Sequence, residues 1–442
     1  MPTAGRTLKG WGGTSATATE IRSEDLISIT AGATLTRGLG RSYGDSSLPP
    51  AGVDWVPGSA LANRIESFDP ATGRLVAEAG LTIGEIQRLF LPRNWSFPVL
   101  PGTQFVTLGG AVAADIHGKN HHVEGTIGNH IASIVVRLAD DSLVQCSRSE
   151  HEDLFAATLG GMGLTGHILE VEVVLQKISS PWIWSESCRV GSLTEFLSAL
   201  DESAANWPFT VGWMDALATG EHMGRGIMMR GRWAEPDVAP TKPPAPKRRL
   251  AVPFNLPAIA LNSYSMRAFN AFYFHTHPRR LKQGIVHPET FFHPLDAVHR
   301  WNRVYGRRGF TQHQCVLPEK DRPGATQRFL KELSATGLGS FLCVIKDCGA
   351  QSEGLLSFPR PGVSIAVDLP MRRRTPQVVH RLNELVLAEG GRIYLAKDAL
   401  TDAEQFQAME DRLEAFQTVR RRWDPELRIR SAQSVRLLGD PA

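Results

Sequence analysis

This sequence predicts an α+β fold in more than one domain, on three observations. Its 442 residues exceed the size at which one small hydrophobic core suffices. The first 178 residues alternate short β-branched runs with glycine turns and a few helical patterns, as a compact mixed unit does. After Lys177 the chain becomes rich in tryptophan and aliphatic residues, as expected of a new sheet.

In the first unit, Ile131–Leu138 and His167–Leu175 read as strands. Thr82–Leu91 reads as a helix that opens on a threonine cap and closes before Pro92. Glu150–Thr158 is a second helix, with acidic residues in its first turn and Leu154 and Phe155 facing inward. Residues 180–230 carry the new sheet. Ala234–Pro257 then holds prolines at 236, 240, 243, 244, 246, 253 and 257, with the basic cluster Lys247-Arg248-Arg249. So many prolines preclude regular hydrogen-bonded structure, and a mobile loop near 234–262 is expected. Strands resume at Gln312–Leu317, Phe341–Ile345 and Val363–Leu369, with helices at Ala325–Ala335 and Pro376–Glu389. A last strand at Arg392–Ala396 and an amphipathic helix over Asp402–Val419 complete the reading. The expected units are residues 1–178, 179–390, and a segment 391–442 that returns to the first.

Composition narrows the function. Forty-eight basic against 45 acidic residues give a net charge of +3, which offers no global attraction for nucleic acid. No apolar run reaches the roughly 18–20 residues of a membrane span, and the N-terminus lacks a secretory core. Five scattered cysteines without a CxxC pair suggest neither disulfides nor zinc. A cytoplasmic protein is the expectation.

The strongest local signal is Arg37-Gly38-Leu39-Gly40-Arg41-Ser42-Tyr43-Gly44-Asp45. Glycines let main-chain N–H groups approach a ligand, and successive N–H groups form a nest for phosphate oxygens. The spacing is GxGxxxG, one residue longer than the dinucleotide fingerprint, and Pro49-Pro50 block the helix that should follow; a doubly wound NAD site is disfavoured. Alone, such a loop is equally a surface turn. It is joined, however, by Pro101-Gly102-Thr103, Thr107-Leu108-Gly109-Gly110-Ala111, Asp115-Ile116-His117-Gly118-Lys119-Asn120-His121-His122, Gly125–Asn129 and Gly160–Gly166. Glycine turns in that density imply backbone wrapped around a flat, polar ligand.

This ordered set resembles the FAD-binding domain of the vanillyl-alcohol-oxidase (PCMH-type) superfamily. The loop at 37–45 with Asp115–His122 is similar, within it, to the flavoprotein oxidase subunits of decaprenylphosphoryl-ribose 2′-epimerases. The match continues through Gly212–Ala216, Phe292–Asp296, Leu356–Pro359 and Tyr394–Asp398. The resemblance implies a two-subdomain FAD-binding domain with an antiparallel-sheet cap. It implies FAD contacts from residues 37–45, Gly102, Thr107, Leu108, Gly109, Gly110, Ala114, Asp115, Ile116, His117, Ile168 and Tyr394. Superfamily members that bond FAD through this loop carry histidine after the second glycine; here Arg41 stands there, which implies non-covalent FAD.

The resemblance also implies Lys397 and His117 as catalytic residues, and Lys119, Trp213, His293, Gln312, Gln314, Lys346, Ser364 and Lys397 as the substrate lining. A cation beside the flavin stabilises charge that develops during hydride transfer. Without the resemblance, Lys397 reads as a solvated strand-end cap and His117 as a turn-bonding histidine. His121, His122 and His130 lack a carboxylate or cysteine at ligand spacing, so no metal is expected. Ala366, Ser364 and Phe292 depart from the family's cysteine, asparagine and tyrosine. The implied activity is oxidation of the 2′-hydroxyl of a polyprenyl-phosphoribose to the keto sugar. A separate NAD(P)H-dependent short-chain reductase would finish the epimerisation to the arabinose precursor for cell-wall polysaccharide. An aldonolactone or alditol oxidase, and a protein that holds FAD without turnover, stay open as alternatives. Basic clusters at 247–249 and at Arg372-Arg373-Arg374, beside apolar Leu250–Leu261, suit peripheral membrane contact or a merely solvated loop.

Overall fold

Apolar alternation along five segments builds the first sheet of the computed structural model. These are β1 (Ile65–Phe68), β2 (Arg74–Glu78), β3 (Ile131–Arg137), β4 (Leu143–Ser147) and β5 (His167–Val174), antiparallel in the order β1-β2-β5-β3-β4. Along β5 burial alternates from Leu169 onward: Val171 and Val173 enter the core and Glu170 and Glu172 do not. Helix α1 (Ile83–Phe90) starts at Thr82, whose hydroxyl accepts from Glu85 N while the Glu85 carboxylate accepts from Thr82 N. Helix α2 (Leu108–Ala113) lies where only a glycine turn was expected. Thr107 caps it, and bare Gly109 lets it press on Ala79, whose Cβ a side chain would meet at 2.9 Å. Helix α3 (Glu152–Thr158) buries Leu154 and Phe155 as the sequence suggests.

The second sheet has eight antiparallel strands: β6 (Ile183–Val190), β7 (Phe209–Met214), β8 (Gly226–Trp233), β9 (Lys282–Val286), β10 (Phe310–Pro318), β11 (Cys343–Cys348), β12 (Gly362–Pro370) and β13 (Arg392–Ile393). Their order is β9-β6-β8-β7-β11-β12-β10-β13. One face packs on α4 (Leu193–Asn206), α6 (Arg322–Thr336) and α7 (Thr375–Ala388) through Phe196, Leu200, Phe329, Leu333, Leu382 and their neighbours. Between β9 and the strand pair before it runs α5 (Ser263–Thr276). The other face carries a transverse row set by register, Trp213 against Val344, Val344 against Ala366, and Ala366 against Gln314. Because strand residues alternate between faces, this row and its flanking partners form the floor of a cavity.

The described residues are 7–247, 249–257 and 261–442. Arg248 and residues 258–260, within the segment expected to be a mobile loop, lie outside them. Among the described residues, Ala234–Pro257 holds one two-residue strand, Leu250–Ala251, paired in parallel with Val298–His299, and no helix. Two expectations near the C-terminus are corrected. The strand expected over Arg392–Ala396 pairs only at Arg392–Ile393, because the chain turns at Tyr394, whose carbonyl accepts from Lys397 N at 2.9 Å. The helix expected over Asp402–Val419 is two, α8 (Ala403–Met409) and α9 (Leu413–Trp423). The break serves tertiary partners: Glu410 is buried 3.0 Å from the Arg392 guanidinium, and Arg412 donates to the carbonyls of Ser352 and Ser357. Helices α8, α9 and α10 (Ala432–Leu438) share an apolar cluster with Ala157 and Leu164.

Candidate active site

A cavity of about 610 Å³ lies between the two sheets, within the range of small-molecule sites. One end is walled by the loop that follows Thr36, by Pro101–Thr103, by α2 and by Gly166 and Ile168; the other by the sheet row and by Phe269 and Tyr273 of α5. Its charged lining is lopsided. Arg41, Lys119, Arg300, Lys346 and Lys397 face it against a single carboxylate, Asp296.

The glycine loop is shaped for an anion. Among the described residues, the N–H groups of Gly38, Leu39, Gly40, Arg41 and Ser42 donate to no protein acceptor, an unusual run for partly buried backbone. Gly40 holds a φ of +60°, where a Cβ would strike the Arg37 guanidinium at 2.1 Å. Arg41 stacks its guanidinium over Trp11 at 4.5 Å and Phe105 at 5.1 Å, and its buried Nε has no partner. Tyr43 N donates to Ala396 O at 2.9 Å, which docks the loop on the turn that carries Lys397. Arg436 of α10 fastens both pieces, donating to Asp45 Oδ1 at 2.7 Å and Asp398 Oδ2 at 2.8 Å. Five unpaired N–H groups and an uncommitted guanidinium Nε in one curved wall fit the diphosphate of a dinucleotide.

At the opposite end, His117 is buried against Tyr394 and Phe358, with ring centroids at 4.9 and 5.3 Å. Gln314 Nε2 donates to its Nε2 at 3.0 Å, which places the ring proton on Nδ1. Burial, reinforced by Lys346, holds His117 well below the usual imidazole range, so the ring is neutral. Lys397 Nζ sits 4.1 Å from the Tyr43 ring centre. Burial pulls its pKa to about 8 against the opposing pull of Asp368. Lys346 donates to Gly118 O at 3.3 Å and is likewise lowered by burial to about 8. Lys119 donates to Phe291 O, and burial takes it to about 7. Behind this wall Asp368 accepts from Gln312 Nε2 at 2.6 Å and from Tyr305 OH at 3.0 Å; burial raises it to about 7.

Comparison with known proteins agrees with this geometry. Residues 30–147 match the family described as an FAD binding domain. The chain is 34% identical to decaprenylphosphoryl-β-D-ribose oxidase of Mycolicibacterium smegmatis, over 96% of each chain. It belongs to the decaprenylphosphoryl-β-D-ribose oxidase family. An uncharacterized Streptomyces coelicolor protein in the mprA 5′ region is 29% identical over 78% of this chain and 96% of its own. A Neurospora crassa protein given the provisional name D-arabinono-1,4-lactone oxidase is 28% identical over only 31% of this chain and 24% of its own. As a member of the oxidase family, the chain is an FAD-dependent oxidoreductase acting on CH–OH groups, with FAD its cofactor.

Several residues expected at the family's site stand outside the cavity wall. Arg37 turns its guanidinium onto Lys9 O and Ser47 O at 2.6 and 2.9 Å, and Asp45 is held by Arg436. Gly44 packs against Asp398 O, and Leu108 is buried in the core. Asp115 faces inward with φ of +36°, accepting from Gly128 N at 2.9 Å and from the hydroxyls of Ser352 and Ser357. His293 is buried just behind Phe292 and Pro294, which do line the cavity. Leu39, Ser42, Gly102, Gly110, Ala114, Ile116, Ile168 and Tyr394 line it, as do Trp213, Gln312 and Ser364. Tyr394 OH donates to Ala114 O at 3.0 Å. Of the family departures, Ser364 accepts from Gln314 Nε2 at 3.2 Å, Ala366 sits in the sheet row, and Phe292 packs edge-on to Phe209. The histidine-rich loop is committed elsewhere: His121 Nδ1 accepts from Gly349 N, His122 bonds Trp207 O, and His130 lies 3.4 Å from Glu124. Trp11, Phe105, Asp368 and Arg436 were not foreseen, since no local spacing ties them to the motifs, and Asp296 closes the Phe292–Asp296 match without having been assigned a role.

Proposed function

We propose that this enzyme oxidises the 2′-hydroxyl of a polyprenyl-phosphoribose to the 2′-keto sugar, the first half of an epimerisation to arabinose. The supporting observation is the cavity's five cations against one carboxylate, more positive charge than the FAD diphosphate alone requires. A neutral aldonolactone or alditol would leave Lys119 and Lys346 without an anionic partner. A lipid-linked sugar phosphate supplies one.

Residues 1–178 are proposed to form the FAD unit, 179–390 the substrate cap, and 391–442 the closing segment. The nest at residues 38–42 and Arg41 hold the FAD diphosphate, with flavin contacts from Gly102, Thr107, Gly109, Gly110, Ala114, Ile116, His117 and Tyr394. No histidine stands at position 41, and binding is non-covalent. Bound FAD supplies the acceptor for the hydride that leaves the sugar carbon. Lys397 places its cation where negative charge develops, at the end of a turn fixed by Tyr394, Asp398 and Arg436. Gln314 fixes the His117 ring, while Gln312, Ser364 and Trp213 orient the sugar. Lys119 and Lys346 take the phosphate. The keto product passes to a separate hydride-donating reductase, and the lipid carrier brings the enzyme to a membrane surface. No helix among the described residues is long and apolar enough to cross a membrane.

Anaerobic mixing of the FAD-loaded enzyme with a prenyl-phosphoribose, followed by flavin absorbance, tests the reading. Bleaching by that substrate and not by xylitol or galactonolactone is expected. Bleaching by the soluble sugars alone would assign the enzyme to the alditol or lactone oxidases instead.

A further inference from the structure

Helix α5 presents an outer face that a soluble protein ordinarily makes polar. Its inner face is anchored: Met266 and Asn270 are buried, and Asn270 Nδ2 donates to Asp215 Oδ1 at 2.8 Å. Arg267 Nη1 donates to Leu217 O at 2.7 Å. The residues that helical spacing turns outward include Tyr264, 84% exposed, and Phe272, 69% exposed. Phe269 is 45% exposed and also lines the active-site cavity, so α5 forms part of the cavity rim. Across the same small core, which joins Leu261 and Met266 to Trp301 and Val298, the segment before α5 exposes Leu250 at 77% and Phe254 at 63%.

The segment that carries this apolar face is basic: from Val238 to Pro288 there is no aspartate or glutamate, while its described basic residues are Lys242, Lys247, Arg249, Arg267, Arg279, Arg280 and Lys282. Arg279, Arg280 and Lys282 are exposed directly after the helix, beside exposed Leu281. Exposed aromatics on a helix with exposed cations directly after it are the signature of an interfacial element on an anionic bilayer.

We propose that the outer face of α5, with the basic turn at 279–282, docks on an anionic lipid bilayer and sets the cavity rim at the membrane surface. This deepens the reading of a lipid-linked substrate, since a prenyl chain would leave the rim into the leaflet past Phe269. The occupant is the bilayer because the face pairs exposed apolar side chains with the exposed cations Arg279, Arg280 and Lys282, and the same rim opens the active site.

The test is sedimentation of the FAD-loaded enzyme with vesicles of phosphatidylcholine, alone or mixed with phosphatidylglycerol. The wild type should bind the mixed vesicles at low salt and release them at about 0.5 M salt. Each cation at an anionic surface strengthens binding about fivefold, so R279E/R280E should weaken binding to mixed vesicles well over tenfold. Y264S/F272S should weaken it about tenfold or more. Neither variant should change flavin reduction by a short-chain soluble substrate, because none of the four residues lines the cavity. Wild-type enzyme left in the supernatant at low salt, or both variants binding like wild type, would overturn the proposal. So would self-association that Y264S/F272S abolishes while vesicle binding is absent, which would assign the face to a second copy. Vesicle binding without reduction by any prenyl-phosphoribose would refute the substrate reading and leave the docking face standing.

Discussion

Replacing Lys397 with methionine removes the cation and keeps most of the side-chain volume. The ammonium is buried beside Tyr43 and has been lowered to about 8 by that burial, so at neutral pH it is still charged. Loss of one preorganised charge of this kind costs about 3–4 kcal/mol, or roughly 10²–10³ in rate. Flavin reduction in K397M, followed anaerobically by stopped flow, should therefore fall at least a hundredfold while bound FAD, read from the 450 nm region of the spectrum, is retained. Reduction within a few-fold of wild type would refute the role.

The pH profile separates a cation from a base. If the charged form is required, reduction is full below pH 8 and falls as the pH rises through it. With a pKa of about 8 the charged fraction drops about tenfold between pH 7 and pH 9. A base would give the opposite slope. Lys346 titrates in the same window, and the observed limb belongs to the pair. Asp368 resolves them, because it supports the charge of Lys397 and is not among the groups acting on Lys346. Asp368→Asn should shift the alkaline limb to lower pH. An unmoved limb would place the titration on Lys346.

Three further outcomes follow from the geometry. Gly102→Ala adds a Cβ with no protein atom within 4 Å, in a cavity-lining turn. It should leave the melting temperature of apoprotein unchanged and weaken FAD binding about tenfold or more in a titration, by direct collision. Arg436→Met leaves Asp45 and Asp398 facing each other unpaired, a loss of about 3 kcal/mol for a partly buried pair. Urea denaturation should show that loss, and FAD should dissociate faster as the 37–45 loop separates from the Lys397 turn. Denaturation in acid or guanidinium should release all the yellow cofactor into the protein-free filtrate; flavin retained on the chain would refute non-covalent binding.

What the sequence made legible was what is local. The cap at Thr82 is visible because Glu85 stands three residues on, and both halves of the capping box form. The glycine turns at Gly38 and Gly40 are visible because a close approach to Thr107 and a positive φ favour glycine there. What stayed hidden was long-range. Glu410 ends one helix and spaces it from the next because Arg392 waits across the fold, and nothing within 402–419 announces that partner. Arg436 joins positions 45 and 398, and Asp368 acts through Gln312, by pairings that only the assembled sheet creates. Helix α5 was missed for a different reason. Its outer face is aromatic, so the polar half of the usual helical period is absent from Tyr264, Ala268 and Phe272.

The arrangement of charge explains why the pocket can be so positive and still fold. Its three lysines are stabilised by weak acceptors: a carbonyl for Lys346, a carbonyl and the Phe291 ring for Lys119, and the Tyr43 ring for Lys397. A carboxylate in the wall would have paired them more strongly, and would also have competed with any anionic ligand. Asp368 instead stands one layer back, capped by Gln312 and Tyr305, close enough to oppose the effect of burial on Lys397 but absent from the cavity surface. The cost of holding unpaired ammonium groups in a buried site is thus carried by the free protein. Binding an anion relieves it, so the same electrostatic strain that weakens the empty fold supplies affinity for a phosphate-bearing substrate.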